Sequence, residues 1–318
     1  MEKITDQYGR TFKTLRVSLL NRCNLGCIYC NLGGDDINNP HPIEKPMLVS
    51  ELLGLIERLH TTLQFETIRL TGGEPLLYPD LLEVISGIRA MGISSIKLTT
   101  NGFLLGRMAL QMKQAGMESI NVSLDAVDED VFFLMSKRSN VNRILQGIDA
   151  AGEAGLQVKI NAVLMKGINE SQLIPLLGYA FSKNIIIRFL EVMSMGHLHN
   201  HEKKYLFTQK EILEKISQWH SFIPLKREYS STANYWQTPQ KNIFGIIANE
   251  SEPFCHDCNR LRLDSQGNIY GCLSSNHPIS LSGINDHSSF SEKLQTALLQ
   301  KQAIRFKGSN LSMLNIGG

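Results

Sequence analysis

Six cysteines fall into two sets of three, and each set has the spacing of a metal centre. The first set, Cys23-Asn24-Leu25-Gly26-Cys27-Ile28-Tyr29-Cys30, reads C-x3-C-x2-C. The second reads C-x2-C-x13-C, with Cys255 and Cys258 ahead of Asn259-Arg260-Leu261-Arg262-Leu263 and Cys272 in Gly271-Cys272-Leu273. Thiolates bind soft metals such as zinc, Cu(I) or iron–sulfur clusters. Four thiolates usually close a [4Fe–4S] cluster, whereas each run here supplies three. A missing ligand leaves one iron open, as a catalytic zinc keeps one position free for chemistry. The alternatives are a Cys3His zinc site or three chance cysteines in the first run, and a zinc ribbon completed by His256 or His277 in the second. Arg260 and Arg262, two apart on an expected strand, point the same way and suit an anion held beside a metal.

The chain's rhythm supplies elements to position these groups. Leu15-Arg16-Val17-Ser18-Leu19 alternates as a strand, and the first cysteine run follows its C-terminal end, where α/β folds place active sites. After a polar loop over 31–46, Ser50 is expected to cap a helix through Leu52, Leu53, Ile56 and Leu59. Thr67-Ile68-Arg69-Leu70-Thr71 is a second strand leading to Gly72-Gly73-Glu74-Pro75, and 80–91 reads as a helix. Further strands are expected at 95–99, 119–124, 157–164 and 185–193, and helices near 106–115, 128–137, 142–154, 171–183 and 208–219. Strand–helix units in series mean a parallel α/β architecture, and both a doubly wound sheet and an open, incomplete barrel fit. Near residue 225 the rhythm stops. Residues 225–318 are expected to form a smaller, metal-dependent module over the barrel mouth.

Five of the six strands carry a Lys or Arg between apolar residues: Arg16, Arg69, Lys97, Lys159 and Arg188, with Asn121 at the equivalent place in the other. Side chains alternate across a strand, so these fall opposite the helix-facing set, and in a barrel that face is the lumen. Two residues further on stand Ser18, Thr71, Thr99, Ser123 and Asn161, also polar. Barrel interiors are normally Val, Ile and Leu, and burying several unpaired cations is costly. The lumen is therefore expected to be wet or to hold an anion such as a triphosphate, which Arg meets bidentately and Lys as a point charge. The alternative is that some cations face solvent or pair with Glu74, Asp125 or Glu191. In Gly72-Gly73-Glu74-Pro75, glycine permits close backbone approach to a ligand, and Thr99-Thr100-Asn101-Gly102 lies at the corresponding strand end.

A length of 318 residues fits two domains, or one barrel with an appendage. Hydrophobic content of 42% and charged content of 19% describe a soluble globular chain. A net charge of +2 gives no general reason to expect nucleic acid or a membrane as partner. The amino terminus lacks the apolar core of a signal peptide, no apolar run approaches a membrane span, and every cysteine sits in a metal-type cluster. A reducing cytoplasm is the expected location.

The first cysteine run, with Tyr29 before its third Cys, resembles the radical S-adenosylmethionine enzymes. The Gly-Gly-Glu-Pro loop, Asn121-Val122-Ser123-Leu124-Asp125-Ala126, Lys166-Gly167-Ile168-Asn169, Ile187-Arg188-Phe189, the Cys255–Cys272 block and the terminal Gly317-Gly318 narrow this. Over nearly the whole chain they resemble the MoaA-type GTP 3′,8-cyclase family of molybdenum-cofactor synthesis. The resemblance implies an incomplete (β/α)6 TIM-type barrel over 1–224 and a C-terminal Fe–S module over 225–318. It implies two [4Fe–4S] clusters, on Cys23, Cys27 and Cys30 and on Cys255, Cys258 and Cys272, together with S-adenosyl-L-methionine. Tyr29, Gly73, Ser123 and Met193 would contact S-adenosylmethionine. Arg16, Arg69, Thr99, Lys159, Arg260 and Arg262 would contact GTP with Arg188 assisting, and the Gly317-Gly318 tail would reach the active site. A 5′-deoxyadenosyl radical would take hydrogen from the ribose C3′ of GTP, and the carbon radical would attack guanine C8. The partners implied are GTP, an external electron donor and the downstream cyclic pyranopterin monophosphate synthase, with the chain a monomer or homodimer.

Departures from the family pattern include Asn31-Leu32 after the third Cys, Thr67 where a basic residue is common, Tyr78-Pro79, and Ser274-Ser275 after Cys272-Leu273. None removes a cluster ligand. The rival readings are another radical enzyme with an auxiliary cluster, such as a peptide maturase, and a non-catalytic zinc protein that binds nucleotides or nucleic acid.

Overall fold

A computed structural model describes residues 4–30 and 45–316. The first part alternates as the sequence leads one to expect: β1 (Thr14–Ser18), α1 (Val49–Leu63), β2 (Thr67–Thr71), α2 (Leu81–Ala90), β3 (Ser95–Thr100), α3 (Leu105–Ala115), β4 (Ser119–Ser123), α4 (Glu129–Ser136), α5 (Val141–Glu153), β5 (Gln157–Leu164), α6 (Leu173–Ser182), β6 (Ile186–Glu191) and α7 (Gln209–Ser217). After these come β7 (Ile223–Pro224), β8 (Asn234–Gln237), β9 (Ile243–Ile247), β10 (Arg260–Leu263), β11 (Asn268–Tyr270), β12 (Ile279–Ser280), α8 (His287–Leu299) and α9 (Met313–Ile316).

Helix starts follow the capping residues. Asp128, Asn140 and Thr208 each accept a backbone N–H from three residues on, opening α4, α5 and α7. Ser50 is not the cap of α1. The helix begins at Val49, and the Glu51 carboxylate reaches back to the Leu48 N–H at 3.1 Å, which moves the start upstream.

Strands β1 to β6 lie side by side in chain order. A doubly wound sheet reverses its strand order at a switch point, so this consecutive order belongs to the open barrel. Alternation divides each strand. Leu15, Val17, Ile68, Leu70, Ile96, Leu98, Ile160 and Ile187 are buried in one core with Ile56, Leu59, Ile85, Met112, Ile144 and Leu177 of the helices. The residues between them face inward.

The last third of the chain does more than cover an opening. Strand β10 pairs parallel with β1, and β9 pairs parallel with β6, so residues beyond 225 extend the barrel sheet at both edges. Antiparallel β11–β12 and β8–β7 finish the two sides. Among the described residues no helix is long and apolar enough to cross a membrane.

Candidate active site

Strand register places the two cysteine runs at opposite ends of the barrel strands. Cys23, Cys27 and Cys30 follow the C-terminal end of β1. Arg260, the first residue of β10, lies beside Thr14, the first of β1, so Cys255 and Cys258 precede the N-terminal ends. Strand β11 runs antiparallel, with Tyr270 opposite Arg262, and this returns Cys272 to the same end. The module expected over the barrel mouth thus brings its thiols to the end away from the first run.

The first run is tied down by backbone. Gly26 and Ile28 donate to the Ser136 and Met135 carbonyls at 2.9 Å, at the end of α4. His197 donates to the Ile28 carbonyl at 2.8 Å, and the Ser312 hydroxyl donates to the Cys30 carbonyl at 3.0 Å. Gly73 donates to Leu20 at 2.7 Å and Glu74 to Arg22 at 2.8 Å. A Cβ on Gly73 would overlap the Arg22 backbone. The close approach at this glycine is therefore to the cysteine loop itself, and its N–H is already engaged.

Buried Glu74 accepts from Thr100 Oγ1 at 2.6 Å, Asn101 N at 2.7 Å and Leu76 N at 2.9 Å. It thereby fixes Asn101, whose amide lies 3.6 Å from Cys23 Sγ. Tyr29 donates to Asp125 at 2.8 Å, and Asp125 also accepts from Val163 N at 2.8 Å. Burial pushes the Glu74 carboxyl up to about 7 and that of Asp125 up to about 6. Burial, and then Glu74, push the Cys23 thiol up to about 11; burial, then Cys23 and Asp125, push Cys30 up to about 12.

Cations hold the second run. Arg10, paired with Asp6 at 2.6 Å, donates to the carbonyls of Cys255 and Gln302. Arg227 forks onto Asp257 at 2.7 and 2.8 Å. Lys301 is 3% exposed, with its ammonium 3.5 Å from Cys258 Sγ and on the Arg260 carbonyl. Burial opposes ionisation of Cys258, but Arg260 and Lys301 outweigh it and bring this thiol down to about 6. Burial, then Cys272 and Cys258, push Cys255 up to about 11.

Between the two ends lies a cavity of about 410 Å³, lined by Cys255, Cys258 and Cys272 and by Arg16, Arg69, Lys97, Lys159, Arg188, Arg260, Arg262 and Lys301. Arg16 Nε and two nitrogens of Arg188 have no hydrogen-bond partner among the described residues. Among the described residues no carboxylate forms an ion pair with Arg16, Arg69, Lys97, Lys159, Arg188, Arg260 or Lys301. Glu74, Asp125 and Glu191 are engaged elsewhere, Glu191 by the N–H groups of Gln209, Glu250 and Ser251. Burial, followed by Arg188 and Arg260, pushes Arg69 down to about 9; burial, followed by Arg262 and Arg69, pushes Arg16 well down. Arginine does not surrender its proton in proteins, so this crowding calls for water or an anion in the cavity.

Of the residues expected to contact GTP, all line the cavity: Arg16, Arg69, Thr99, Lys159, Arg188, Arg260 and Arg262. Met193 lines it too, whereas Tyr29, Gly73 and Ser123 lie outside it, toward the strand ends that carry the first run. Gly317 and Gly318 lie outside the described residues; the chain before them ends at Ile316, packed with Met195, Tyr270 and Phe306. Sequence reasoning missed Arg10, Arg227 and Lys301 because nothing local distinguishes them from surface cations.

Neither His256 nor His277 lines this cavity, and both are exposed. Among the described residues no three His, Cys, Asp or Glu side chains group as ligands of a single ion. Thiolates around one tetrahedral zinc stand about 3.8 Å apart at a Zn–S distance near 2.3 Å, whereas those of a cubane cluster each take a different iron. Three thiols sharing one electrostatic neighbourhood fit a cluster with one open iron at either end.

Residues 17–180 match the model of the radical SAM superfamily, and residues 185–311 match that described as Molybdenum Cofactor Synthesis C. The GTP 3′,8-cyclase of Marinobacter nauticus is 33% identical over 307 residues, covering 95% of this chain and 92% of that protein. The GTP 3′,8-cyclase of Staphylococcus saprophyticus is 39% identical over 282 residues, covering 86% and 82%. Among solved structures, Streptococcus suis SuiB bound to S-adenosylmethionine superposes with a TM-score of 0.65 at 15% identity, covering 93% of this chain and 73% of that one. Native anSMEcpe with bound AdoMet gives 0.63 at 15% identity, covering 89% and 82%. Those two share the fold. The chain belongs to the radical SAM superfamily and, within it, to the GTP 3′,8-cyclase family.

Proposed function

We propose that this chain converts GTP to (8S)-3′,8-cyclo-7,8-dihydroguanosine 5′-triphosphate, the first step of molybdenum-cofactor biosynthesis. The observation that carries this reading is the file of Arg16, Arg69, Lys97, Lys159 and Arg188 along the cavity, with which no carboxylate of the described residues forms an ion pair, set between two three-thiol sites. When bound, the first cluster and S-adenosylmethionine supply a 5′-deoxyadenosyl radical, and the second cluster supplies an open iron for the guanine ring.

The protein's own contribution is orientation. Arg16, Arg69, Lys159 and Arg188 take the triphosphate, the arginines as bidentate forks, and Thr99 adds a hydroxyl. Arg260 and Arg262 hold the nucleotide beside Cys255, Cys258 and Cys272. Tyr29, Ser123, Met193 and the carbonyl of Gly73, whose N–H is held by Leu20, position S-adenosylmethionine, and Gly317 and Gly318 belong to the same site. Fixing the ribose C3′ toward the first run in this way contributes several kcal/mol, an order of magnitude typical of pre-paid orientation. The division into 1–224 and 225–318 is one of role, the first part supplying the six strand–helix units and the second the auxiliary cysteines, with β9 and β10 of the second part joined to the barrel sheet. An external donor supplies electrons, and product passes to cyclic pyranopterin monophosphate synthase. The chain works in the cytoplasm as a monomer or homodimer, with no nucleic-acid or membrane partner.

Anaerobically reduced protein given S-adenosylmethionine and 3′-deuterated GTP tests the reading. Deuterium should appear in 5′-deoxyadenosine, with one chromatographically distinct isomer of GTP formed per 5′-deoxyadenosine. Unlabelled 5′-deoxyadenosine with GTP recovered intact would refute it.

A further inference from the structure

Lys301 stands apart from the other cavity cations. Its ammonium sits 3.5 Å from Cys258 Sγ, donates to the Arg260 carbonyl, and lies 5.1 Å from the centre of the Phe12 ring. It is 3% exposed, and among the described residues no carboxylate pairs with it. A buried ammonium needs a compensating anion. The groups at hand are a thiol and a carbonyl, both belonging to the second cysteine block. A triphosphate partner is the less suited explanation, because the fixed contacts already aim the ammonium at sulfur.

We propose that Lys301 is a positioning residue of the second cluster, donating an N–H···S bond to Cys258 and supplying the fixed positive charge that sets the cluster's reduction potential. Hydrogen bonds to the sulfurs and local charge are what tune such potentials, and a hydrogen-bonded outer partner orients the ligand itself. The same ammonium ties the Arg260 backbone to the Cys258 sulfur, so the arginine pair and the cluster keep a constant separation. The inference rests on the second trio holding a cluster, as in the function proposed above.

The test uses the holoenzyme with both clusters, comparing Lys301→Met, Lys301→Arg and the control Lys210→Met on the exposed face of α7. Iron per chain and EPR-monitored reductive titration are the readouts. In the parent protein, iron near eight per chain and two separable signals establish the second cluster; a single signal would defeat the functional reading, not merely this inference. Lys301→Met should shift the second midpoint to lower potential and leave the first unmoved. Lys301→Arg, which keeps charge and donor, should hold the second midpoint close to that of the parent protein, and Lys210→Met should change neither midpoint. If Lys301→Met loses the second cluster and Lys301→Arg keeps it, the assignment stands. Loss in both variants would mean the side chain is only a steric plug, and a Lys301→Met protein with full iron and an unmoved second midpoint would also overturn the proposal.

Discussion

The two thiol sites use the same donors in opposite electrostatic surroundings. Around Cys23, Cys27 and Cys30 the charged neighbours are carboxylates, Glu74 and Asp125, and burial together with these groups raises every thiol. Around Cys258 the neighbours are Arg260 and Lys301, strong enough to overcome burial. Cluster potentials follow net charge and hydrogen bonding to sulfur. A cluster among carboxylates is harder to reduce and a stronger donor once reduced; one among cations is easier to reduce and attracts an anionic substrate. One end of the barrel is thus suited to delivering an electron, the other to holding a nucleotide.

The largest effects should come from removing a thiol at either end. Cys27→Ala should abolish 5′-deoxyadenosine formation and lower iron by about half, to the four irons of one cluster. Cys272→Ala should lose the same iron and all cyclisation, yet still cleave S-adenosylmethionine slowly. Equal loss of cleavage in both variants would break the division of labour.

Next come the cations. Arg16→Ala or Arg260→Ala should weaken GTP binding roughly 10- to 150-fold, the equivalent of about 1.5–3 kcal/mol for one charge-assisted hydrogen bond. Calorimetric titration would measure this. Asn101→Ala, at the first run, should leave GTP affinity within about twofold while lowering occupancy of the first cluster.

Stability against pH should then slope in opposite senses at the two ends. The Glu74 carboxyl, raised by burial from 4.5 to about 7, holds a proton in the folded chain through a range where the unfolded chain has released it. Its contribution is therefore present below the lower value and lost as pH rises to the upper one. Glu74→Gln should flatten that window by roughly 3 kcal/mol between the two limits, seen in thermal melts at about pH 5 and pH 8. Asp257 behaves the other way. Burial pushes its carboxyl up, but hydrogen bonds from Arg227 and Ser230 outweigh it and hold it below the usual range. Asp257→Asn should remove stability lost as pH falls below about 4, the smallest of these effects.

The parallel elements were legible because each strand keeps apolar residues at every second position and each helix keeps its stripe. The inward cations were legible for the same reason: Arg16, Arg69 and Lys159 break an apolar pattern where nothing local demands it. What no local pattern carries is long-range pairing. Past residue 225 the sequence suggests a strand at Arg260–Leu263, in a separate module, and none at Ile243–Ile247; their ladders with β1 and β6 make both part of the barrel sheet. Lys301, just past α8, looks like an ordinary helix-end cation until folding brings Cys258 beside it. Gly73 reads as a ligand-contact glycine, and its packing against Arg22 depends on a loop fifty residues away.

EPR of the reduced protein with both clusters, recorded with S-adenosylmethionine alone and with GTP alone, addresses the two-ended arrangement most directly. S-adenosylmethionine should alter only the signal that disappears in Cys27→Ala, and GTP only the signal that disappears in Cys272→Ala. GTP perturbing the first signal, or leaving the second unchanged at saturation, would contradict it.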